Sequence, residues 1–458
     1  MAAPIGQQVV NARILTELAV SFNIGADIFG KGNRKVESKL GASDESGSVV
    51  MVDIYDGGKV YDDLDLSKPG VDLSVKRDVV PLRVRPLCTG ATLTQEDLTL
   101  AIKQPEFLVK RMAKLALEAQ HRAVACLEAN ALNATVIDTA NSDELKRNKI
   151  YDMMALCDAS KLDGNTEGLM HPLVYSKLIA LFQNTYGPNN GIGGSLYEGE
   201  LKNLAGLNWS KSNDLKRIVA VATIGGDTNV GFDFSAAMAY YYNANNESQN
   251  IEGPMNVPGI IPYAAVTGLT AADYFPATGN KVGDLSQPFK LKDSNNEYVC
   301  STDALGNSTG LPAVFYLRAT AVTGGAVTSA VLASPVFFEG PRQNVFHSTY
   351  VEYDGSNGTG GTISGLEAEG LLTANNSYLA PATVWKHDDF LVAAKGLEAY
   401  IGSDSLTIPT RYREKGYLPF RGWAWTDPLK SQTLFRVDVL LGCGAYTRTS
   451  INNLYVQA

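Results

Sequence analysis

Between Gln104 and Asn133 apolar side chains recur at steps of three and four: Leu108, Met112, Leu115, Ala119, Ala123 and Cys126. That spacing is the helical period, so the six fall on one stripe. Glu106 to Ala131 contains no Gly or Pro and is dominated by strong helix formers. Pro105 suits a first turn, where its missing N–H would have had no partner. The pattern predicts one continuous helix over Glu106–Ala131, about 40 Å long at ~1.5 Å per residue. A usual globular helix has roughly 11–12 residues. Lys114, Glu118 and Arg122 follow at i, i+4 on another face and can pair in solvent.

Upstream the period is two. Ser48–Tyr55 (SVVMVDIY) reads as a strand, stopped by the turn signal Asp56-Gly57-Gly58. Val71–Val84 alternates, with Val71, Leu73 and Val75 on one face and Asp72, Ser74 and Lys76 on the other. Two strands around a charged tip make a ribbon, which is marginally stable unless it lies on something. Thr94 is placed to cap a short turn over Leu93–Leu98, with Asp97 at its third position. Met1–Ile28 has a weak helical pattern, and Lys31–Gly47 is a polar, locally basic arm.

Downstream, helices are expected over Asn148–Leu162 and Leu173–Phe182, and strands at Leu169–Pro172 and Ile218–Ile224. Alternating strands and helices mark a mixed α/β unit. From about Tyr240 to Asn376 the helical pattern stops. Strand candidates Phe289–Leu291, Tyr298–Ser301, Val314–Ala321, Ala326–Leu332, Val336–Phe338 and Phe346–Tyr353 suggest a small barrel or sandwich. Leu434–Leu441 alternates, with Phe435, Val437, Val439 and Leu441 inward and Arg436 and Asp438 outward; Gly442 and Gly444 are expected to end it.

A chain of 458 residues holds two or three domains. A net charge of -9 argues against a general nucleic-acid binder. Cys88, Cys126, Cys157, Cys300 and Cys443 show no metal-ligand spacing, so free thiols in a reducing compartment are expected. No apolar run is long enough to span a bilayer. The opening MAAPIGQQVVNARIL lacks a signal-peptide pattern, which points to a cytoplasm.

Chemistry-bearing motifs are few. Gly25-Ala-Asp-Ile-Phe-Gly30-Lys31 resembles a phosphate loop, but Gly32 stands where a Ser or Thr is needed, and no strand precedes it. Gly187–Ser195 lacks dinucleotide-binding spacing. His121, His171, His347 and His387 are dispersed, with no HExxH, so no metal site is expected. No nucleophile elbow or catalytic cysteine signature occurs. His387-Asp388-Asp389 reads as a structural acidic turn, and Trp423 and Trp425 as packing or interface anchors on a strand. No catalytic residue and no cofactor is assigned.

The order of parts now carries a resemblance. Arm, charged ribbon (Asp63–Val84), capped turn (Leu93–Leu98), long helix, mixed α/β region and the ending SLTIPTRYREKGYLP…LFRVDVLLGCGAYTR together resemble the major capsid proteins of tailed bacteriophages. The implied fold is α+β and Hong Kong 97-like, closest to short-tailed-phage coat proteins with an inserted β-barrel. It implies an N-terminal arm (1–47), an extended loop and start of the peripheral domain (48–100), and the spine helix with peripheral domain (101–147). An axial domain (148–239), a β-rich insertion (240–375) and an axial return with C-terminal peripheral strands (376–458) follow.

The implied function is self-assembly as pentamers and hexamers into an icosahedral shell around double-stranded DNA. Assembly would occur in the bacterial host cytoplasm, with a scaffolding protein and portal, and a decoration protein on the shell. Asp62, Asp63, Asp65, Lys68, Lys76 and Arg77 are the candidate intersubunit loop residues, and Leu108, Met112, Leu115, Ala119 and Cys126 the spine packing. The Lys–Asn cross-link of some relatives is not carried over, because nothing marks an acceptor for Lys59, Lys68 or Lys76. The alternatives are a cytoplasmic α/β enzyme with a β accessory domain, and a phage tail or fibre component.

Overall fold

The computed structural model describes residues 27–34, 49–55, 77–94, 105–138, 141–160, 162, 164–183, 207–215, 218–219, 224, 227–233, 239–242, 248–252, 260–261, 265–302, 308–333, 336–337, 362–371, 378–395, 404–407, 421–427, 432–446 and 449–457. The expected helix over Met1–Ile28, the arm, the charged ribbon tip with its acidic residues Asp62, Asp63 and Asp65, and the strand Phe346–Tyr353 lie wholly or almost wholly outside them.

Along the chain, β1 (Val49–Tyr55) and β2 (Arg77–Arg83) form the ribbon, and β3 (Arg85–Thr94) leads to helix α1 (Pro105–Ala129). Then come β4 (Asn133–Ile137), α2 (Asp143–Ala159), β5 (Thr166–Met170), α3 (Pro172–Gln183) and β6 (Asn208–Lys211). The β-rich stretch supplies β7 (Val230–Asp233), β8 (Ala265–Thr267), β9 (Phe289–Lys292), β10 (Leu317–Thr323), β11 (Ala326–Leu332) and β12 (Thr362–Gly370). The chain ends with β13 (Tyr378–Lys386), β14 (Phe390–Lys395), β15 (Asp404–Thr407), β16 (Arg421–Asp427), β17 (Gln432–Ala445) and β18 (Asn452–Gln457).

The chain divides into two units: residues 1–52, 81–126 and 390–446, and residues 53–80, 127–389 and 447–458. The first is organised by β17. Fourteen residues of strand extend roughly 47 Å at ~3.4 Å each. One side of β17 pairs with β3 from Leu441↔Arg85 to Gln432↔Thr94. The other side is shared end to end, β16 taking Gln432–Asp438 and β14 taking Leu440–Ala445. Val437, Val439 and Leu441 are buried as alternation requires, but so is Asp438, which was expected to face outward. Its carboxylate lies 3.2 Å from Arg436 Nε. Both faces of the strand are covered at that point, so alternation there does not separate core from solvent.

β17 also runs through Gly442 and Gly444 rather than ending before them. At Gly444 a Cβ would lie 2.8 Å from Leu82 Cδ1, and Leu82 is itself buried. The glycine is a seat for the foot of the ribbon, not a strand terminator.

The second unit contains a mixed sheet in the order β4-β18-β13-β5-β6. β18 is parallel to β4 and antiparallel to β13, and β5 is antiparallel to β13 and parallel to β6. Ile150, Met153 and Cys157 of α2 and Val174, Leu178 and Phe182 of α3 share a core with Met170, Ala380, Ala382, Val384, Leu454 and Val456. Helix α2 begins five residues before the expected start. Ser142 caps it by accepting from Leu145 N–H at 3.3 Å, and Asp143 and Glu144 occupy its first turn. The closing strand β18 was not expected; it lies inside this sheet, between β4 and β13.

The remaining strands form an antiparallel sheet in the order β9-β12-β7-β8-β11-β10. Bridges Leu285↔Arg318 and Phe289↔Phe315 tie each outer strand to the segment just before the other, so the two ends of the sheet meet as in a barrel. Phe232, Tyr274, Phe275, Phe289, Leu291, Phe315 and Leu317 fill it. Tyr274 and Phe289 meet edge to face at 5.1 Å. A barrel of this size is packed by side chains, and closure removes its free edges.

Candidate assembly surface

The ribbon is a two-stranded sheet of its own, β1 with β2. Pro81 is tolerated in β2 because a two-stranded sheet leaves each strand an outer side without ladder bonds. Only Val84 separates β2 from β3, so the ribbon continues the strand that lines β17. Val52, Leu82 and Val84 are buried at its foot. Of the candidate loop residues, Arg77 opens β2, while Asp62, Asp63, Asp65, Lys68 and Lys76 lie outside the described residues. Leu93 and Thr94, expected in the capped turn, are instead the last two residues of β3, held in the ladder with β17, and Gln95–Leu98 lie outside the described residues.

Helix α1 has 25 residues, close to the span its sequence predicts. Leu115 and Ala119 are buried and Cys126 is half-buried. Ala123 of the expected stripe is buried as well, and Ala116, Val124 and Leu127 beside it are buried too, so the covered face extends toward Leu127. Leu108 and Met112 lie in the first part of the helix, where side chains are outside the described set. Arg122 Nε donates to Glu118 at 3.1 Å, the expected i, i+4 pair. Leu117 is 53% exposed on the helix's open side.

A buried polar junction in the second unit escaped sequence reading. Asn453 is fully buried in β18. Its Nδ2 donates to Tyr316 Oη at 2.9 Å, to the Glu128 carbonyl at 3.2 Å and to Tyr455 Oη at 3.3 Å, and its Oδ1 accepts from Thr383 Oγ1 at 2.8 Å. Two N–H groups thus serve three acceptors. The hydroxyls of Tyr316 and Tyr455 are 2.8 Å apart. Burial first, and then the Tyr316 hydroxyl, hold the Tyr455 phenol well above its ordinary pKa. One side chain therefore ties the residue before the barrel strand β10 to the last turn of α1 and to β13.

Next to it, Asn452 donates to Cys157 Sγ at 3.1 Å and to the Ser450 carbonyl at 2.9 Å, and accepts from Asn133 at 3.0 Å. Ser450 donates to Asp389 through N–H at 3.0 Å and Oγ at 2.7 Å. Burial pushes the Cys157 thiol up to about 12, which makes it a neutral core group and not a nucleophile. The signal for this junction was the alternation of Leu454 and Val456 with Asn453 and Tyr455, obscured by two adjacent asparagines, a residue type depleted in strands.

The other motifs resolve structurally. Lys31 is buried, and a Cβ on Gly32 would lie 2.7 Å from Val392 and 2.8 Å from Phe390. Asn33 then exchanges backbone bonds with Phe390 and Val392, so this near phosphate loop is a plug along β14. His171 Nδ1 accepts from Leu173 N–H at the start of α3. His387–Asp389 is a single 3-10 turn between β13 and β14, with Asp389 buried against Ser450. Trp423 and Trp425 lie on β16. Gly187–Ser195 and His347 lie outside the described residues. Among the described residues no group of three or more His, Cys, Asp or Glu is placed to hold a metal ion, and no helix is long and apolar enough to cross a membrane.

No protein-family model and no curated protein matches the chain. Among solved structures, 73 chains match. One from Mycobacterium phage Che8 has 8% identity and a TM-score of 0.43, covering 93% of this chain and 89% of that one. The mature capsid of bacteriophage PhiM1 has 10% identity and a TM-score of 0.37, covering 90% and 82%. A virus-like particle from Pyrococcus furiosus has 7% identity and a TM-score of 0.37, covering 97% and 98%. The solved structures that this chain is similar to thus include phage capsids.

Proposed function

We propose that this chain is the major capsid protein of a tailed bacteriophage, a structural subunit without catalytic activity that assembles into a closed shell around double-stranded DNA. The observation that carries the reading is the ribbon. Among the described residues β1 and β2 pair only with each other, on a foot seated by Gly444, and run directly into the ten-residue strand lining β17. A two-stranded sheet needs a surface to lie on. In rings of five or six copies that surface is the neighbouring subunit, and rotation closes the head-to-tail contact.

In this reading residues 63–84 are the extended loop, and α1 is the spine of the peripheral domain. The α2/α3 sheet is the axial domain, and the barrel is the insertion over residues 240–375 joined by β7. The loop charges Asp62, Asp63, Asp65, Lys68, Lys76 and Arg77 set register between copies more than affinity. Assembly takes place in the host cytoplasm around a scaffolding protein and a portal, and a decoration protein takes the outer face. Deleting Asp63–Lys76 tests the assignment by sedimentation. The expected result is a folded, slowly sedimenting subunit; particles of normal sedimentation would overturn it.

A further inference from the structure

Cys126 lies on α1 and Cys443 on β17, both in the first unit, and neither is in a disulfide. Cys126 follows Ala119 by seven residues and Ala123 by three, so it shares their side of the helix. Both alanines are fully buried. Cys443 alternates with Gly444, whose missing side chain makes room for Leu82. The register of β17 with β14 is unbroken from Leu440 to Ala445, so Cys443 points to the opposite face from Gly444. That is the face of Val437, Val439, Leu441 and Ala445, all buried. Each cysteine thus sits on a covered side of its element and is itself half-buried.

The two covered sides meet. After burial, the groups that act on the Cys443 sulfur are the Cys126 thiol and then the Arg122 guanidinium. Arg122 precedes Cys126 by four residues, about one turn of the same helix. Its Nε is held 3.1 Å from Glu118, which fixes that turn. Two successive turns of α1 therefore reach one sulfur, and the small side chains of Ala119, Ala123 and Ala445 leave the approach uncrowded. We propose that Cys126 and Cys443 are a latent disulfide site, closing into a bond between α1 and β17 when the protein meets a small-molecule disulfide. One thiolate attacks a sulfur of that oxidant and expels a small thiol, and the second thiolate then displaces the other small thiol from the mixed disulfide. The pair gives up two protons and two electrons, and the oxidant is reduced to two thiols. Burial holds the Cys443 thiol above its ordinary range, so exchange is slow, and the pair stays reduced where thiols prevail. The bond closes a loop of more than three hundred residues, the case in which a cross-link constrains the unfolded chain most. The site is a property of the single chain and does not rest on the capsid reading.

Oxidised glutathione is the probe, incubated with the full chain for hours at mildly alkaline pH, and peptides are then mapped without reduction. The expected result is a peptide pair joining Cys126 to Cys443 within one chain, with glutathione on the exposed Cys88 as proof that the oxidant acts. The oxidised chain should melt higher than the reduced one, and either dithiothreitol or Cys126→Ser should abolish the difference. Cys88 carrying glutathione while Cys126 and Cys443 stay thiols, or carry glutathione separately, overturns the proposal. A bond from either of them to a different cysteine overturns it too. The parent chain alone yields the decisive peptide, so the outcome does not hang on a variant folding.

Discussion

Asn453 joins four partners through one buried amide, and its replacement separates packing from polar satisfaction. Asn453→Leu keeps comparable volume but leaves the Glu128 carbonyl and the Thr383 hydroxyl without that partner. Losing a buried hydrogen bond of this kind costs about 1–3 kcal/mol, so the midpoint of urea unfolding should fall, and amide exchange should quicken in β18 and the last turn of α1. An unchanged midpoint would mean that the junction is not satisfied through Asn453.

Cysteine chemistry gives a second residue-scale test. Cys88 is exposed, whereas burial raises both Cys157 and Cys443. Maleimide at pH 8 followed by mass spectrometry should label Cys88 first, half-buried Cys443 more slowly, and buried Cys157 only after unfolding. On the barrel, Glu369 is held below the usual carboxylate range by Lys292 first and then by the Tyr298 hydroxyl. A depressed carboxylate stabilises the fold above its unfolded pKa, and that contribution is lost as pH falls through the folded value. Glu369→Gln should therefore melt lower than the parent at pH 7, and the two should converge once the pH falls below the depressed folded value of Glu369. A gap that persists in acid would contradict the ion-pair origin.

At the scale of elements, what was legible in the sequence followed from local rules that nothing overrode. Helix α1 was legible because no Gly or Pro interrupts a helical period. The ribbon strands and β11 were legible because their β-formers are bounded by turn residues. The start of α2 was not, because Asp143–Asn148 is polar apart from the exposed Leu145 and only the Ser142 cap marks it. Ser142→Ala should cost about 1 kcal/mol, read as a lower melting temperature. β17 was cut short on paper by a rule that holds for exposed strands, whereas Leu82 needs the bare backbone at Gly444. Gly444→Val should destabilise by about 1–3 kcal/mol through overpacking, and Leu82→Ala should recover part of it. Strict additivity of the two changes would show that they do not meet.

At the scale of the molecule, the barrel and the mixed sheet each have a filled core, and their edges are short or joined. The ribbon and β3 are the parts with long strands and few partners among the described residues. In the proposed reading assembly works through the ribbon, and this was partly visible from composition, since a charged tip between two alternating strands has no core of its own. The candidate loop charges were legible as a group, but their partners were not, because a partner on another copy leaves no trace in the spacing of one chain. The most direct measurement is electron cryomicroscopy of the protein expressed alone and with a scaffolding protein. The account predicts closed shells in which each copy's ribbon lies on its neighbour. Discrete single subunits under both conditions, with the ribbon folded onto its own chain, would contradict it.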